Sequence, residues 1–268
     1  MTLGGRLGMV VLMLLLGTWS MSLLMNYDVV LDVDPSRANL GLSVDHWLGT
    51  DDSGRDVLKR LIKGTEAFVG PGLLACFVAA LIAIPGGAWA GWVGGWKAEA
   101  IRFVFTVLAS LPRFVLVLLI CSIYGTDGST LGIAAGAAYA PALSEAVYNR
   151  VSSFRAAGFV MAAKAHGLRT SRILGWHILW VNGRALIAKN LLQLFSYFLL
   201  IETTLSFLGD FGVQEPLPSW GNMISRDALQ GGVTGLNLWA TLAPILAIWI
   251  AILGCTLLAQ SLKEADNG

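Results

Sequence analysis

Residues 160–179, VMAAKAHGLRTSRILGWHIL, form a polar and basic island in a chain that is otherwise strongly apolar. The 268 residues are 56% hydrophobic and only 13% charged, with a mean hydropathy of +0.69. These values are too apolar and too poor in charge for a soluble globular domain. Because helices satisfy their own backbone hydrogen bonds in lipid, the composition predicts an all-α polytopic membrane protein.

The sequence around the island contains six stretches with the length and apolar character of a transmembrane helix. They lie at about 7–25, 68–93, 102–124, 131–149, 185–208 and 237–260. The island therefore falls between the fourth and fifth predicted spans. The first stretch follows Arg6 as in a signal peptide, but TWSMSLLMNY at 18–27 offers no small-residue cleavage site, which favours a retained anchor.

The placement of Lys and Arg in the short loops predicts the orientation of the chain. With a cytoplasmic N-terminus, the inner segments receive Arg6, Lys97, Arg102, Arg150, Arg155, Lys164, Arg169, Arg172, Arg184 and Lys263. The outer side receives an acidic segment with Asp28, Asp32, Asp34, Asp45, Asp51, Asp52 and Asp56, although Arg55, Lys59, Arg60 and Lys63 lie there too. Both termini are predicted to be cytoplasmic.

Small residues and prolines in the spans predict packing and bending. Gly87, Gly91 and Gly95 lie four residues apart in GGAWAGWVGGW, so they share one helix face and allow a neighbouring backbone to approach. The prolines at 85, 112 and 244 lie in or near spans, where a missing N–H bends a helix.

The sequence carries no signature of catalysis, of a metal or of nucleic acid binding. It has no phosphate-binding loop, since LIKGTEAF at 61–68 lacks the required glycine spacing, and neither H-E-x-x-H nor G-x-S-x-G occurs. The isolated residues are His46, His166 and His177, and Cys76, Cys121 and Cys255. We therefore expect no catalytic residue, no metal and no cofactor in this chain. The net charge of +1, with scattered basic residues, predicts no nucleic acid partner.

Three ionisable residues inside predicted spans are candidates for a functional role, because charge is expensive in lipid. They are Glu145, Lys189 and Glu202. A gradient-driven secondary transporter would use such groups as a relay, whereas hydrogen bonding between helices needs no relay.

The segment from about 152 to 183 is the longest predicted cytoplasmic loop, and its composition suits one or two short helices on the membrane surface. Gly167 is the easiest point for a break between them. Phe154, Phe159 and Val160 are available to lipid or the bundle, while Arg155, Lys164, Arg169 and Arg172 are available to water or a partner. Alternatively, the segment is only a solvated basic loop that fixes topology.

The same segment resembles the cytoplasmic EAA loop of ATP-binding-cassette (ABC) importer permeases, in which Glu-Ala-Ala precedes a glycine and a His-Ile-Leu-Pro-like ending. The matching positions are Ala162, Ala163, Gly167, His177, Ile178 and Leu179. Two positions depart from the pattern, since Met161 replaces the usual Glu and Trp180 the usual Pro. The resemblance implies an ATPase-coupling loop that also includes Lys164 and Arg169.

Three further stretches are similar to the permeases of dipeptide, oligopeptide and nickel importers, in the subunit often called the C-type partner. They are HWLGTDDSGRDVLKRLIKG at 46–64, GWVGGWKAEAIRFVFTVLASLP at 91–112 and TTLSFLGDFGVQEPLPSWGNMI at 203–224. The resemblance implies the type I ABC importer permease fold in the bacterial inner membrane, with a coupling helix between the fourth and fifth spans. It implies an anchor and extracytoplasmic segment at 1–66 and a permease core at 67–263.

Two extracytoplasmic stretches supply the remaining site candidates. The glycines and acids of GTDDSGRD at 49–56 suit a tight turn that caps a helix beginning near Val57. The candidates here are Asp51, Asp52, Arg55 and Asp56, either as local scaffold or as contacts for a binding protein. In the second stretch, at 203–224, the candidates are Pro218 and Trp220. We expect them either to shape a gate or to hold the loop at the level of the lipid headgroups.

The resemblance implies that this chain forms half of a translocation pathway for peptides, nickel or another small solute. Its implied partners are a second homologous permease, two ATPase subunits that bind ATP and Mg, an extracytoplasmic solute-binding protein and membrane lipid. Two alternatives remain open. The missing Glu and Pro suit a degenerate assembly or regulatory subunit, and a secondary transporter would need no ATPase.

Overall fold

A computed structural model describes residues 2–209, 211–229 and 238–267. Within these ranges the regular structure is helical, apart from one isolated bridge between Thr50 and Asp56. The helices are α1 (Leu3–Leu24), α2 (Tyr27–Leu31), α3 (Val57–Lys63), α4 (Val69–Val93), α5 (Gly95–Ser110), α6 (Arg113–Tyr124), α7 (Gly128–Arg155), α8 (Gly158–Ala165), α9 (Thr170–Arg172), α10 (Arg184–Leu208), α11 (Trp220–Leu229) and α12 (Leu238–Asn267). Short 3-10 turns occupy Pro35–Arg37 and Gly64–Ala67, and Ile173–Val181 is π-helical. The prediction of an all-α protein is confirmed.

Four helical segments are long and apolar enough to cross a membrane: α1, α3 continuing into α4, α10 and α12. The bent pair α5 and α6 makes a fifth if it counts as one crossing. The chain is therefore a multi-pass membrane protein. Helix α7 has 28 residues, which is long enough, but its many Ala, Gly and polar residues keep it outside the same criterion within the described ranges.

The prediction of one continuous helix at 102–124 is wrong. The chain bends by 83° between α5 and α6. Leu111 has extended backbone angles and is followed by Pro112. Proline lacks an N–H and disfavours helical geometry in the residue before it, so the helix ends there.

Helices α4 and α7 form the closest interface in the described bundle, and small residues make it possible. A Cβ on Gly136 would lie 2.6 Å from the carbonyl oxygen of Ala75, and one on Gly91 2.8 Å from that of Tyr148. The predicted close approach is confirmed for Gly91, and also for Gly87, whose neighbour is the carbonyl of Ser144. It is wrong for Gly95, which follows the end of α4 and has φ of +63° with nothing nearby.

The order of these contacts shows that α4 and α7 run parallel, since contacts ascend along both helices. The segment 94–127 must therefore return from the far end of α4 to its starting end. Helices α1 and α12 run antiparallel, with Gly5 beside Ser261 and Gly8 beside the carbonyl of Gly254.

The helix directions define two ends of the bundle, which we call the terminal end and the acidic end. The terminal end contains the N-terminus, the start of α5, the segment 155–183 and the end of α12. The acidic end contains segments 26–68, 125–130 and 211–229. The loop that resembles the EAA loop thus lies at the same end as both termini of the described chain, as the predicted topology requires.

Candidate functional site

The EAA-like loop begins with α8, which ends in a Schellman motif centred on Gly167. The N–H of Leu168 donates to the carbonyl of Ala163 at 3.0 Å, and the N–H of Gly167 donates to that of Lys164 at 2.9 Å. Gly167 has φ of +75°, a region that glycine enters without a steric penalty. The predicted break at Gly167 is confirmed, and its cause is the left-handed backbone there.

Contacts with the bundle hold α8 in place. Val160 is fully buried, in a cluster that also contains Val151 and Ile173. The ammonium of Lys164 lies 4.3 Å from the ring centre of Trp92, at the end of α4. Arg155 donates to the carbonyl of Trp92 at 3.3 Å. These contacts tie α8 to α4 and α7.

The opposite side of α8 is open to solvent. The exposed residues of this surface are Met161, Ala162, Ala165, His166, Gly167 and Arg169. The arrangement can bind a partner, because a rigid, capped helix presents small residues with basic residues at its end. Ala163 is half-buried, so it supports this surface from behind.

The other half of the resemblance, His177 to Leu179, does not share that surface. These residues lie in the π-helical segment, where Ile178 is fully buried and His177 and Leu179 are half-buried. In the described structure, Ile178 and Leu179 pack the π-helical segment against the bundle. Trp180 follows them and stacks on Trp176 with ring centres 6.4 Å apart. The usual proline would have no N–H to contribute to this segment, whereas Trp180 has one.

At the acidic end, Asp51 organises the turn that the sequence predicts. Its carboxylate accepts the backbone N–H groups of Ser53 and Arg55, both at 2.9 Å, and the Nε of Arg55 at 2.7 Å. Gly54 has φ of +77° in the same turn. Asp56 caps α3 by accepting the N–H of Lys59 at 2.9 Å, so the predicted turn and the start of α3 at Val57 are confirmed.

Glu215 joins this turn to the loop before α11. Its carboxylate lies 2.7 Å from Arg55, 2.8 Å from Arg60 and 3.5 Å from Arg226. Arg55 and Arg60 are almost fully buried, so both guanidinium groups need a carboxylate to compensate the loss of water. We call Asp51, Asp52, Arg55, Arg60, Glu215 and Arg226 the ion-pair network.

Arg226 completes the network through Asp52, at 2.7 Å and 3.1 Å. These hydrogen bonds are the main reason that the pKa of Arg226 is raised. Sequence reasoning missed Arg60, Glu215 and Arg226 as site residues. The pairs Arg60–Glu215 and Arg226–Asp52, which join the two segments, are 155 and 174 positions apart, so no local spacing predicts them.

Trp220 is buried within the chain, so its side chain is not available as an anchor to lipid. Its side chain is only 4% exposed and packs on Phe68 with ring centres 4.6 Å apart. Its indole N–H donates to the carbonyl of Leu61 at 2.8 Å. The neighbouring Pro218 is also buried. Trp220 therefore ties the loop 211–219 to α3 and the start of α4.

The three ionisable residues of the spans lie apart from one another. Glu145 pairs with Arg102 at 3.3 Å, and Glu202 is fully buried near the acidic end, where it accepts a hydrogen bond from Ser206 at 2.7 Å. Lys189 lines a different cavity from Glu145. They do not face one common cavity, as a proton or ion relay requires. In the part of the chain that the structure describes, no group of three or more His, Cys, Asp or Glu side chains is placed to hold a metal.

Comparison with known proteins places this geometry in a family. Residues 83–264 match the model of the "Binding-protein-dependent transport system inner membrane component" family. The chain is 32% identical to the dipeptide transport system permease protein DppC of Alkalihalophilus pseudofirmus, over 87% of this chain and 75% of that protein. It is 30% identical to the peptide transport system permease protein SapC of Escherichia coli O6:H1, over 86% and 76%. It is 28% identical to the glutathione transport system permease protein GsiD of Pectobacterium atrosepticum, over 96% and 84%. The family model covers more than half of the chain, and the similarity to DppC extends over most of both proteins. The chain therefore belongs to the family of inner membrane components of binding-protein-dependent transport systems.

Proposed function

We propose that this chain is a transmembrane permease subunit of an ATP-driven importer for peptides. The observation that carries the proposal is the exposed, glycine-capped surface of α8, fixed through Trp92 and Val160 to a bundle of this family. The names of its relatives, which are dipeptide, peptide and glutathione transport permeases, favour peptides over nickel or another solute.

The bundle crosses the membrane six times in this proposal, with α7 as the fourth span and the bent pair as the third. The parallel course of α4 and α7 supports it, because segment 94–127 must then cross between them. The low hydropathy of α7 suits a helix enclosed by its neighbours, since Ala135, Leu143 and Val147 are fully buried. The terminal end faces the cytoplasm, following its basic residues.

The chain supplies half of the translocation pathway, and a second homologous permease supplies the other half. Two ATPase subunits bind ATP and Mg and contact α8 at the terminal end. A solute-binding protein delivers the peptide at the acidic end, where the ion-pair network stiffens the contact surface. No catalytic residue is needed in this chain.

In this proposal, movement of α8 couples ATP binding by the ATPases to transport through the bundle. When ATP draws the ATPases together, they push on α8, and its contacts with Trp92 and Val160 pass the displacement to α4 and α7. Rigid helices that move between two packed arrangements are a common form of such switching. The loss of the usual Glu at Met161 removes one charge from this contact but leaves the cap and the anchors in place.

Purification of the assembled complex in mild detergent tests the proposal. We expect a second permease and ATPase subunits to co-purify with this chain, and ATP hydrolysis to rise when a peptide-loaded binding protein is added. After reconstitution, peptide uptake should depend on ATP.

Recovery of the chain without an ATPase, together with uptake driven by a proton or sodium gradient, would contradict the proposal and favour a secondary transporter. Recovery with an ATPase but without uptake would favour an assembly or regulatory subunit. Met161→Glu is a gain-of-contact control, because restoring the usual charge should strengthen association with the ATPase.

A further inference from the structure

A second polar site is a cleft between α6, α7, α10 and α12 that opens to the surface of the described bundle, so that Arg113, Gln193 and Lys263 are exposed. It is a cavity of about 400 Å³ that extends from the terminal end to the middle of α7. Its lining residues include Arg113, Tyr139, Lys189, Gln193, Ser196, Tyr197, Thr256, Gln260 and Lys263. We call it the cationic cavity, because none of the described residues that line it is acidic.

The polar residues of the cationic cavity follow the helical repeat on two facing spans. Lys189, Gln193 and Ser196 lie at i, i+4 and i+7 on α10, so they share one face. On α12, positions 256, 260 and 263 repeat the same spacing with Thr, Gln and Lys. The two helices run antiparallel, so each presents a polar stripe to the same space. Polar groups are expensive in a span unless they serve an interior site.

None of the three cations of the cavity forms an ion pair in the described part of the chain. Arg113 lies over the rings of Tyr139 and Tyr197, 4.9 Å and 6.0 Å from their centres. These aromatic faces orient the guanidinium without neutralising it. No ion pair of Lys189 or Lys263 occurs among the described residues. Positive charges around one cavity repel each other, and an anion between them removes that cost.

Arg102, which is close to Arg113, differs from it in having carboxylate partners. Arg102, in α5 of the bent pair, lines an adjacent cavity together with Arg113 and Glu145, and Glu145 and Glu99 accept its hydrogen bonds at 3.3 Å and 3.1 Å. Glu145 thus pairs with Arg102, whereas Arg113 forms no ion pair among the described residues. Basic residues at the end of a span often extend to the headgroups, but Lys189 is half-buried and lines the cavity.

We propose that the cationic cavity binds an oxyanion, either the carboxylate of a peptide in transit or the phosphate of an anionic lipid. Lys189 and Lys263 supply charge from facing helices, and Arg113 supplies two parallel N–H donors. Gln193, Gln260 and the two tyrosine hydroxyls are available for the neutral part of the ligand. The carboxylate source rests on the proposed function, whereas the lipid source does not.

The carboxylate arm of the test uses the complete complex in liposomes, with saturating binding protein loaded with a tripeptide or with its C-terminal amide. The quantity measured is the ratio of the two ATP-dependent uptake rates. A carboxylate site predicts that Lys189→Gln lowers this acid-to-amide ratio about tenfold, the loss expected for one charge-assisted hydrogen bond. Lys263→Gln should act in the same direction. Using a ratio cancels changes in expression and in the ATPase.

The lipid arm measures phosphatidylglycerol retained by the purified complex, using mass spectrometry. A phosphate site predicts that Lys189→Gln and Lys263→Gln each lower the retained lipid several-fold, with the acid-to-amide ratio unchanged. Lys97→Gln is the matched control for both arms, because it removes a cation at the terminal end outside the cavity.

A loss in either arm, absent from Lys97→Gln, supports the site and names its ligand. If both Lys variants match Lys97→Gln in both arms, the proposal is overturned. A wild-type complex without ATP-dependent uptake contradicts the proposed function instead. In that case the lipid arm still tests the cationic cavity, because lipid retention is measured without transport.

Discussion

At the scale of single residues, Asp56 has two separate roles at the acidic end. One carboxylate oxygen caps α3 through the N–H of Lys59, and the other contacts the Nδ1 of His46 at 2.8 Å. The side chain is only 8% exposed, so neither contact is easily replaced by water. These contacts belong to the scaffold, which was one of the two sequence-based interpretations of Asp56.

Substitution at Asp56 separates the two roles. Asp56→Ala removes the cap and should cost about 1 kcal/mol. This corresponds to a fall of roughly 2–4 °C in the thermal midpoint of the purified chain in detergent. Asp56→Asn keeps a capping oxygen and loses only the charge opposite His46, so its midpoint should stay closer to wild type. Equal losses for both variants would show that the His46 contact, not the cap, is the stabilising one.

Gly167 is the residue on which the proposed coupling surface depends. Its φ of +75° disfavours any side chain, and a β-branched one most. We expect Gly167→Val to cost about 1–3 kcal/mol locally. The variant should insert into the membrane at the wild-type level while its ATP-dependent uptake falls sharply.

Gly167→Asn is the matched control, because Asn tolerates left-handed backbone. It should retain most of the uptake, with protein amount followed by immunoblot of the membrane fraction. Normal uptake by the Val variant would show that the cap at the end of α8 has no part in coupling.

At the scale of helices, the contact between α4 and α7 depends on the absence of side chains. In lipid, helices gain little from the hydrophobic effect, so close packing of small residues holds them together. Gly132 and Gly136 on α7 meet the carbonyls of Pro71 and Ala75, and Gly87 and Gly91 make the reciprocal contacts from α4. This interface lies between the EAA-like loop and the acidic end.

Adding one methyl group at this interface should weaken the bundle. The Cβ of Gly136→Ala would lie 2.6 Å from the carbonyl oxygen of Ala75, so a backbone must shift, at a cost of about 1–3 kcal/mol. Gly17→Ala is the matched control on α1, where nothing lies within 4 Å of the new Cβ. There the higher helix propensity of Ala should leave the thermal midpoint unchanged or raised. A Gly136→Ala midpoint equal to wild type would mean that the two helices are not in contact in the membrane.

At the scale of the whole molecule, the two ends differ in charge and in construction. The acidic end is stiffened by the ion-pair network, which ties segments far apart in the sequence. The terminal end carries exposed basic residues on α8, α9 and the loops beside them. This separation fits a protein that meets different partners on the two faces of a membrane.

Labelling of single cysteines tests the membrane crossing of α7 and the orientation together. In a background without the native cysteines, an impermeant maleimide should label Ser43→Cys and Ser129→Cys in intact spheroplasts. Ser153→Cys and Ser171→Cys should be labelled only after permeabilisation. All four side chains are exposed in the structure, so access depends on sidedness alone. Labelling of positions 129 and 153 from the same side would rule out α7 as a span.

The sequence by itself determined the helical class, the membrane location, the capped turn at 49–56 and the break at Gly167. These features depend on local composition and on the backbone preferences of Gly, Pro and Asp, which neighbouring residues suffice to define. The order of the motifs also identified the family, which the comparisons confirm. Some local predictions failed because the decisive contact was distant, as for Trp220, which Phe68 buries.

Only the tertiary structure decided which distant groups meet. Glu215 compensates Arg55 and Arg60 across more than 150 residues, and the parallel course of α4 and α7 fixes which loops share an end. The cationic cavity likewise exists only because α10 and α12 turn their polar stripes toward one space. Electrostatic compensation and close packing depend on distances in space, and the spacing of residues along a chain does not specify those distances.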